Sequence, residues 1–393
     1  MILEQSAAAG GGFVHQMSIT RLFSRKAVGF DVRFYATERN WLELLERRGL
    51  QAKHLPVSLL RRWLSVLRRN LYLNRLLRRF SRFNWFERRL LGDGIDLVFF
   101  PGPSQLALDC EHLNYVITVW DLCHRDFPEF PEVRAARAFE ERELFYRAAL
   151  PKAAAVLADS DTGRRNIVRR YAVDEERIHV APFITPEIDS AGEATEQEVR
   201  GKYALDAPFV FYPAQFWAHK NHVYILQGLH HLRQNTNLRV QAVFCGGDQG
   251  NVAHVKATAE RLGLADQVRI LGFVPRAEVI ALYRSAVALV MPTYFGPTNL
   301  PPLEAFALGV PVIYPDLPGL RDQVADAAVL VDLDDPNSLA QALADLLQGR
   351  TDRAALVRAG RARLTADAEG AYWAVLEAVF RQFRVRLQCW TEA

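Results

Sequence analysis

The sequence predicts an α/β protein made of two Rossmann-like, doubly wound domains, and three observations carry that expectation. Short apolar runs alternate with helix-period segments, which calls for parallel strands covered by helices. The rhythm runs once in the first half and again from Phe209, and 393 residues suit two domains of about 150 to 200 residues better than one core. Between the two runs, Ile184 to Ala207 is polar, with a charged helical segment, as expected of a boundary.

In the first half VGFDVRFYA, IDLVFFP, LNYVITVWD and AAVLADS read as strands, since β-branched and aromatic residues crowd short runs bounded by polar positions. Gly10, Gly11 and Gly12 follow a first-strand candidate and precede a helix pattern, so their backbones can approach a phosphate or an acceptor closely. Ala135 to Arg147 reads as helix. In the second half PFVFYPA, LRVQAVFCGG, QVRILGF, AVALVMP and VPVIYPD are the strands, and Val223 to Arg233, Val252 to Leu262 and Ser338 to Leu347 the helices. The expected division is residues 1–200, residues 201–370, and a closing helix in 371–393 that reaches back to the first domain.

Half of the residues are apolar and 24% charged, a globular composition, and a net charge of +3 gives no reason to expect nucleic acid. Four cysteines, Cys110, Cys123, Cys245 and Cys389, show neither CxxC nor zinc spacing, and read as reduced thiols. No apolar run approaches the roughly 20 residues of a membrane span, and MILEQSAAAGGG has neither a basic n-region nor an apolar core, which predicts a cytoplasmic protein. Leu60 to Leu91 holds ten arginines against one acidic residue. Arg61, Arg68, Arg75 and Arg82 recur every seven residues as one helical stripe beside Leu60, Leu64, Leu67 and Leu71. Such a basic amphipathic segment predicts peripheral attachment to an anionic membrane surface, at about 1 kcal/mol per well-placed basic residue. Its alternative is that the leucines pack on the first domain while the arginines are solvated or meet a protein.

FGPTNLPPLEAFALGVPVI, Phe295 to Ile313, reads as a helix start followed by a buried strand. Asn299 is placed to cap, Pro301 and Pro302 have φ pre-set for a first turn, and Gly309 can end the helix. Free N–H groups at such a start suit an anion; the prolines have none, which leaves Thr298, Asn299, Leu300 and Leu303 as donors. A bare Glu304 carboxylate would repel phosphate, so in a binding role it takes a neutral group such as a pair of sugar hydroxyls; otherwise it only complements the helix dipole. Lys220, after a strand-end loop, is suited to offset charge on a departing diphosphate. Asp159-Ser160-Asp161 and Asp332-Leu333-Asp334 each spell DxD, a pattern that can hold a divalent ion, but both lead into helices, where aspartate caps. That reading predicts no metal site.

Taken in order, FYPAQFWAHKNH (Phe211 to His222), the run from Val268 to Asp316 and DDPNSLAQAL (Asp334 to Leu343) resemble the retaining glycosyltransferases of family 4, with the GT-B architecture. The resemblance is strong over Phe209 to Leu347 and weaker in the first half, through ITVWDLCHRDFPEF and AVLADSDTGRRNIV. It implies two Rossmann-like domains facing across a cleft, the first on the acceptor side, the second holding a nucleoside-diphosphate sugar, with no cofactor and no metal. Lys220 matches the lysine on the donor diphosphate, Glu304 the glutamate on the ribose, and Gly272, Phe273 and Val274 a loop that meets the base. Three positions depart from the pattern. Gly296 stands where the family has a first glutamate, so either Asn299 or Thr298 takes over contacts to the donor sugar or the sugar is held differently. Gln215 stands near a missing arginine, and Trp120 replaces a histidine before Asp121, with His124 as a nearby substitute. The implied catalytic set is Asp121, His124, Lys220 and Glu304; Gly11, Gly12, Gln215, Phe273, Val274, Thr298, Asn299 and Leu300 join Lys220 and Glu304 around the donor. The implied reaction is transfer of a mannose-like hexosyl group to a glycan or lipid-linked glycan in surface polysaccharide biosynthesis. A GT-B epimerase or phosphorylase, or a non-catalytic sugar-nucleotide-binding protein, are the alternatives.

Overall fold

The computed structural model describes residues 1–6, 10–69, 72–73, 82–185, 194–296, 298–364 and 368–390. The chain divides into two compact units, Met1–Asp126 with Ala136–Ile184 and Glu369–Ala393, and Phe127–Ala135 with Thr185–Ala368.

In the first unit β1 (Ile2–Leu3), β2 (Phe34–Ala36) and β3 (Ala52–His54) form a parallel sheet in that order. A second parallel sheet runs β4 (Leu97–Phe100), β5 (Asn114–Val119), β6 (Ala155–Ala158) and β7 (Ile178–Val180). Side chains alternate between two buried faces: Val98, Phe100, Tyr115, Ile117 and Val156 enter one core layer, Phe99, Val116, Ala155 and Leu157 the other. Burial on both faces is why these strands read as unbroken apolar runs. The layer around Phe99 is covered by the helix Gly11–Lys26, through Ile19, Leu22 and Phe23, and by the helix Ala368–Leu387, through Trp373, Leu376 and Phe380. Phe23 meets Trp373 edge to face at 5.4 Å, a geometry worth about 0.5–1.5 kcal/mol beyond area burial. The helix expected from Ala135 instead runs Ala138–Ala149, because Ala136 and Arg137 hold left-handed φ of 51° and 63° that interrupt it.

The second unit carries one parallel sheet: β8 (Phe209–Pro213), β9 (Gln241–Cys245), β10 (Val268–Ile270), β11 (Ala288–Val290), β12 (Val312–Pro315) and β13 (Ala328–Val331), in the order β10-β9-β8-β11-β12-β13. The chain winds outward from β8 through β9 to β10, then returns to the other side of β8 with β11. The order therefore reverses between β8 and β11, and in open sheets of this kind a ligand lies beyond the carboxyl ends of the strands at that reversal. Among the described residues no helix is long and apolar enough to cross a membrane.

Candidate active site

Two loops leave the reversal point, residues 214–221 after β8 and residues 291–296 with 298–299 after β11, and they are tied together. The Tyr294 amide donates to the His219 carbonyl at 3.0 Å, and the His219 ring stacks on Phe295 at 3.9 Å. Lys220 follows directly, half-buried, its amide donating to the Trp217 carbonyl at 3.1 Å. Asn221, at a left-handed φ of 52°, then turns the chain into the helix His222–Asn235. Lys220 is thus held by backbone on both sides at the mouth of a helix. The Gln215 side-chain carbonyl accepts from Trp217 Nε1 at 3.0 Å, which fixes its orientation.

Glu304 lies on the helix Leu300–Leu308 and is buried. Its Oε1 accepts from Arg276 at 2.6 Å and its Oε2 from the Tyr283 hydroxyl at 2.9 Å. The carboxylate is charge-compensated, so it approaches an anionic ligand at less electrostatic cost than a bare glutamate, while each oxygen keeps a second lone pair for a hydroxyl. Arg276, Tyr283 and Glu304 form a polar cluster that sequence reading did not assemble.

Asn299 corrects two expectations. It stands at the N-cap position, but its side chain makes no cap bond to the helix. Its Nδ2 instead donates to the Gly296 carbonyl at 2.7 Å and to the Tyr314 hydroxyl at 2.6 Å. Its amide donates to Gln323 Oε1 at 3.0 Å, and its carbonyl accepts from Gln323 Nε2 at 2.6 Å. Asn299 is therefore spent on internal contacts, which leaves Thr298, Leu300 and Leu303 of the four donors expected at this helix start. The same network explains Gly296: φ is 112°, and a Cβ there would lie 2.7 Å from Asn299 Oδ1.

Beyond β10, the Gly272 carbonyl accepts from the Gly246 amide at 2.9 Å, Val274 is buried, and the Phe273 side chain is 83% exposed, open to a planar ligand. Lys220, Gln215, Phe273, Val274, Thr298, Asn299, Leu300 and Glu304 all belong to the second unit, and all sit on segments that follow its strands' carboxyl ends. Gly11, Gly12, Asp121 and His124 belong to the first.

In the first unit Asp121 follows β5 and pairs with Arg142 at 2.6 Å while accepting from the Cys123 amide at 3.1 Å. Burial pushes this carboxyl up, but Arg142 outweighs it and holds the group ionised below the ordinary range. Asp121, Arg142, Trp120, Ser104 and Gln105 line a depression of about 380 Å³. His124 does not reach it. The ring is fully buried, with Nε2 2.9 Å from Glu143 Oε1 and 3.2 Å from the Tyr171 hydroxyl, and burial and the Arg142 charge push its pKa down. It is a core histidine, which corrects its candidacy as a substitute base. Gly12 is explained by packing: a Cβ there would lie 2.9 Å from the Trp120 ring, and one on Gly102 2.4 Å from it. Trp120, held by Nε1 donating to the Pro101 carbonyl at 3.0 Å, fills the space beside Gly12, whereas Gly10 and Gly11 are exposed.

The two DxD strings are used locally. Ser160 caps the helix Asp161–Tyr171 and Asp335 caps the helix Pro336–Leu347, one residue away from the aspartates expected to cap. Asp332 Oδ1 accepts from the Asp334 amide at 2.9 Å. Among the described residues no three His, Cys, Asp or Glu side chains converge as a metal-ligand set.

The arginine stripe is only partly a surface feature. On the helix Leu59–Arg69, Arg61 lies over the Trp85 ring at 5.0 Å and Arg68 is half-buried. Arg82 lies over Phe83 at 5.2 Å, and Arg75 and Leu71 fall outside the described residues. Leu64 and Leu67 are half-buried, whereas Leu59, Leu60, Trp63 and Val66 are exposed.

Comparison with known proteins accounts for both halves. Residues 195–363 match the family model described as Glycosyl transferases group 1, and residues 9–183 the model described as Glycosyltransferase Family 4. A D-inositol 3-phosphate glycosyltransferase of Xylanimonas cellulosilytica is 30% identical over 220 residues, 53% of this chain and 52% of that protein. The match thus spans about half the length of the curated relative. Among solved structures, sucrose-phosphate synthase from Thermosynechococcus elongatus superposes with a TM-score of 0.73 at 18% identity, covering 98% of this chain and 99% of that one. HepE of Anabaena, in complex with UDP-glucose, gives 0.70 at 15%, covering 97% and 99%. At these identities the structural likeness concerns the fold, which is GT-B.

Proposed function

We propose, for a chain that belongs to the glycosyl transferases of group 1 and family 4, that it moves a hexosyl group from a nucleoside diphosphate to an acceptor hydroxyl with retention of configuration. One observation carries the reading: the loop bearing Lys220 and the helix bearing Glu304 follow β8 and β11, the two strands between which the sheet order reverses.

In the proposed reaction the bond between the anomeric carbon and the diphosphate breaks, and Lys220 offsets the charge gathering on the leaving group. The sugar passes through an oxocarbenium-like state. The acceptor oxygen bonds to the anomeric carbon from the same face, and its proton passes to the departing phosphate. No side-chain base is required, in keeping with His124 lying in the core. Glu304, compensated by Arg276, takes the ribose hydroxyls, and Phe273 meets the base. Asp121 and Arg142 serve the acceptor. Metal independence is part of the proposal, and it rests on the family resemblance, because Ser160 and Asp335 make the two caps expected of the DxD aspartates.

The curated relative is named for D-inositol 3-phosphate, and HepE was solved with UDP-glucose. The donor here is proposed to carry a mannose-like hexose and the acceptor to be a glycan or lipid-linked glycan of a surface polysaccharide, so the test must sample all of these. The protein is incubated with UDP-glucose, GDP-mannose and related donors, each with inositol phosphate, free glycans and lipid-linked glycans. Glycosyl transfer releases free nucleotide and shifts the acceptor's mass, and it survives dialysis against a chelator. A donor altered with no acceptor change points to an epimerase, and binding without turnover to a non-catalytic protein. A second reading, membrane attachment, is favoured by the exposed Leu59, Leu60, Trp63 and Val66 on a helix that also carries arginines.

A further inference from the structure

The segment Phe127–Ala135 lies in the first half of the sequence but belongs to the second unit. It grips the loops at the sheet reversal in two ways. Phe127 stacks on Phe295 at 5.8 Å, and Phe130 packs against Tyr294 at 5.3 Å and Phe295 at 5.7 Å. Beyond these rings, Glu132 Oε1 accepts from the His219 amide at 3.0 Å and also meets Nδ1 of the same ring. Both side chains are nearly buried, at 11% and 10% exposure. Although burial pushes the Glu132 carboxyl up, the His219 ring and amide hold it below the usual carboxylate range.

We propose that Glu132 is a positioning residue for the leaving-group lysine. It never meets the donor; by fixing both the backbone and the ring of His219, it sets where the next residue, Lys220, presents its ammonium. Three constraints converge on His219. Its amide is held by Glu132, its carbonyl accepts from Tyr294, and its ring meets Glu132 at Nδ1 and stacks face to face on Phe295. Fixing His219 fixes the backbone from which the next side chain, Lys220, extends, and placement errors of about 1 Å can cost about 100-fold in rate. The inference rests on the reading of Lys220 as the group on the diphosphate.

The test is a double-mutant cycle on the full chain, read by UDP and GDP affinity and by kcat for nucleotide release from the donor sugar. K220A should lower both. E132A should lower kcat about 10-fold to 100-fold, and E132Q, which keeps an acceptor for the His219 amide, should recover most of that loss. A purely structural role would lower the melting temperature without this split. In the K220A background, removing Glu132 should cost less than about twofold, because the two act as one unit. If E132A melts out, Glu132→Asp, whose carboxylate falls one methylene short, takes its place in the cycle. An E132A loss of the same size with and without Lys220, or no loss at all, overturns the positioning role while leaving Lys220 in place. If K220A itself changes neither affinity nor kcat, the reading of Lys220 fails and the inference falls with it.

Discussion

Lys220 and Glu304, the residues proposed to hold the donor, stand out in the sequence because each sits in a local pattern, HKN after a strand and PPLE opening a helix. The partners of Glu304, Asp121 and His219 do not. Arg276 is 28 residues before Glu304, Arg142 21 residues after Asp121 and Glu132 87 residues before His219, and only the tertiary fold brings them together. Asn299 shows the reverse case: its place as a cap is written in the sequence, but Tyr314 and Gln323 claim its hydrogen bonds. Lys220→Ala and Glu304→Gln should each lower kcat/KM with the fold intact, by about 2 to 4 kcal/mol of transition-state stabilisation, or about 30-fold to 1000-fold. Steady-state kinetics with an active donor check this, and near-wild-type values for both would remove the site assignment. A stability prediction also belongs to single residues. Burial pushes His15 and His222 down to about 3. Both are therefore neutral in the folded chain, while the unfolded chain takes up their protons below about pH 6.5. Stability is then fully present above that pH and declines as pH falls from about 6.5 toward 3, at about 1.4 kcal/mol per pH unit for each histidine. Denaturant titrations at pH 7 and pH 5 should show the decline, and His15→Leu should flatten it; an unchanged slope would contradict the burial account.

At the scale of elements, legibility follows burial on both faces. β8 is apolar throughout, and β5 (NYVITV) and β9 (QAVFC) are mostly apolar, so they stand out as runs, whereas β3 (AKH) and β7 (IHV) are three-residue strands interrupted by polar residues, too short for a periodicity. The helix Ala138–Ala149 starts late because two non-glycine residues in left-handed geometry precede it, which composition does not reveal. The helix Leu59–Arg69 is the instructive case. Its arginines suggested the exposed stripe, yet Arg61 packs on Trp85, and the surface is apolar at Leu59, Leu60, Trp63 and Val66. A membrane role therefore predicts dependence on both charge and aromatic insertion. Liposome cosedimentation should increase with anionic lipid and weaken with salt. Changing Leu60 and Trp63 together to serine should reduce it, as should changing Arg61, Arg68, Arg75 and Arg82 together to glutamine. A wild-type protein that ignores anionic liposomes at low salt would dismiss membrane attachment and favour a soluble acceptor.

For the whole molecule, the α/β class and the doubly wound sheets follow from a rhythm that the sequence repeats twice, and both units bear parallel strands. What the rhythm cannot supply is strand order, because each crossover leaves open which side of the sheet the chain returns to. That order matters most here: the step from β10 back across β8 to β11 creates the reversal to which the proposed donor site is assigned. It also cannot show that Phe127–Ala135, written between two segments of the first unit, belongs to the second. The central claim is that a nucleoside diphosphate binds at this reversal. The most direct measurement is a crystal structure of the full chain soaked with UDP or GDP. The diphosphate should lie at Lys220 and the first turn of the helix Leu300–Leu308, with the ribose hydroxyls on Glu304 beside Arg276. A nucleotide bound elsewhere in the chain, or one bound with its diphosphate away from Lys220, would contradict it.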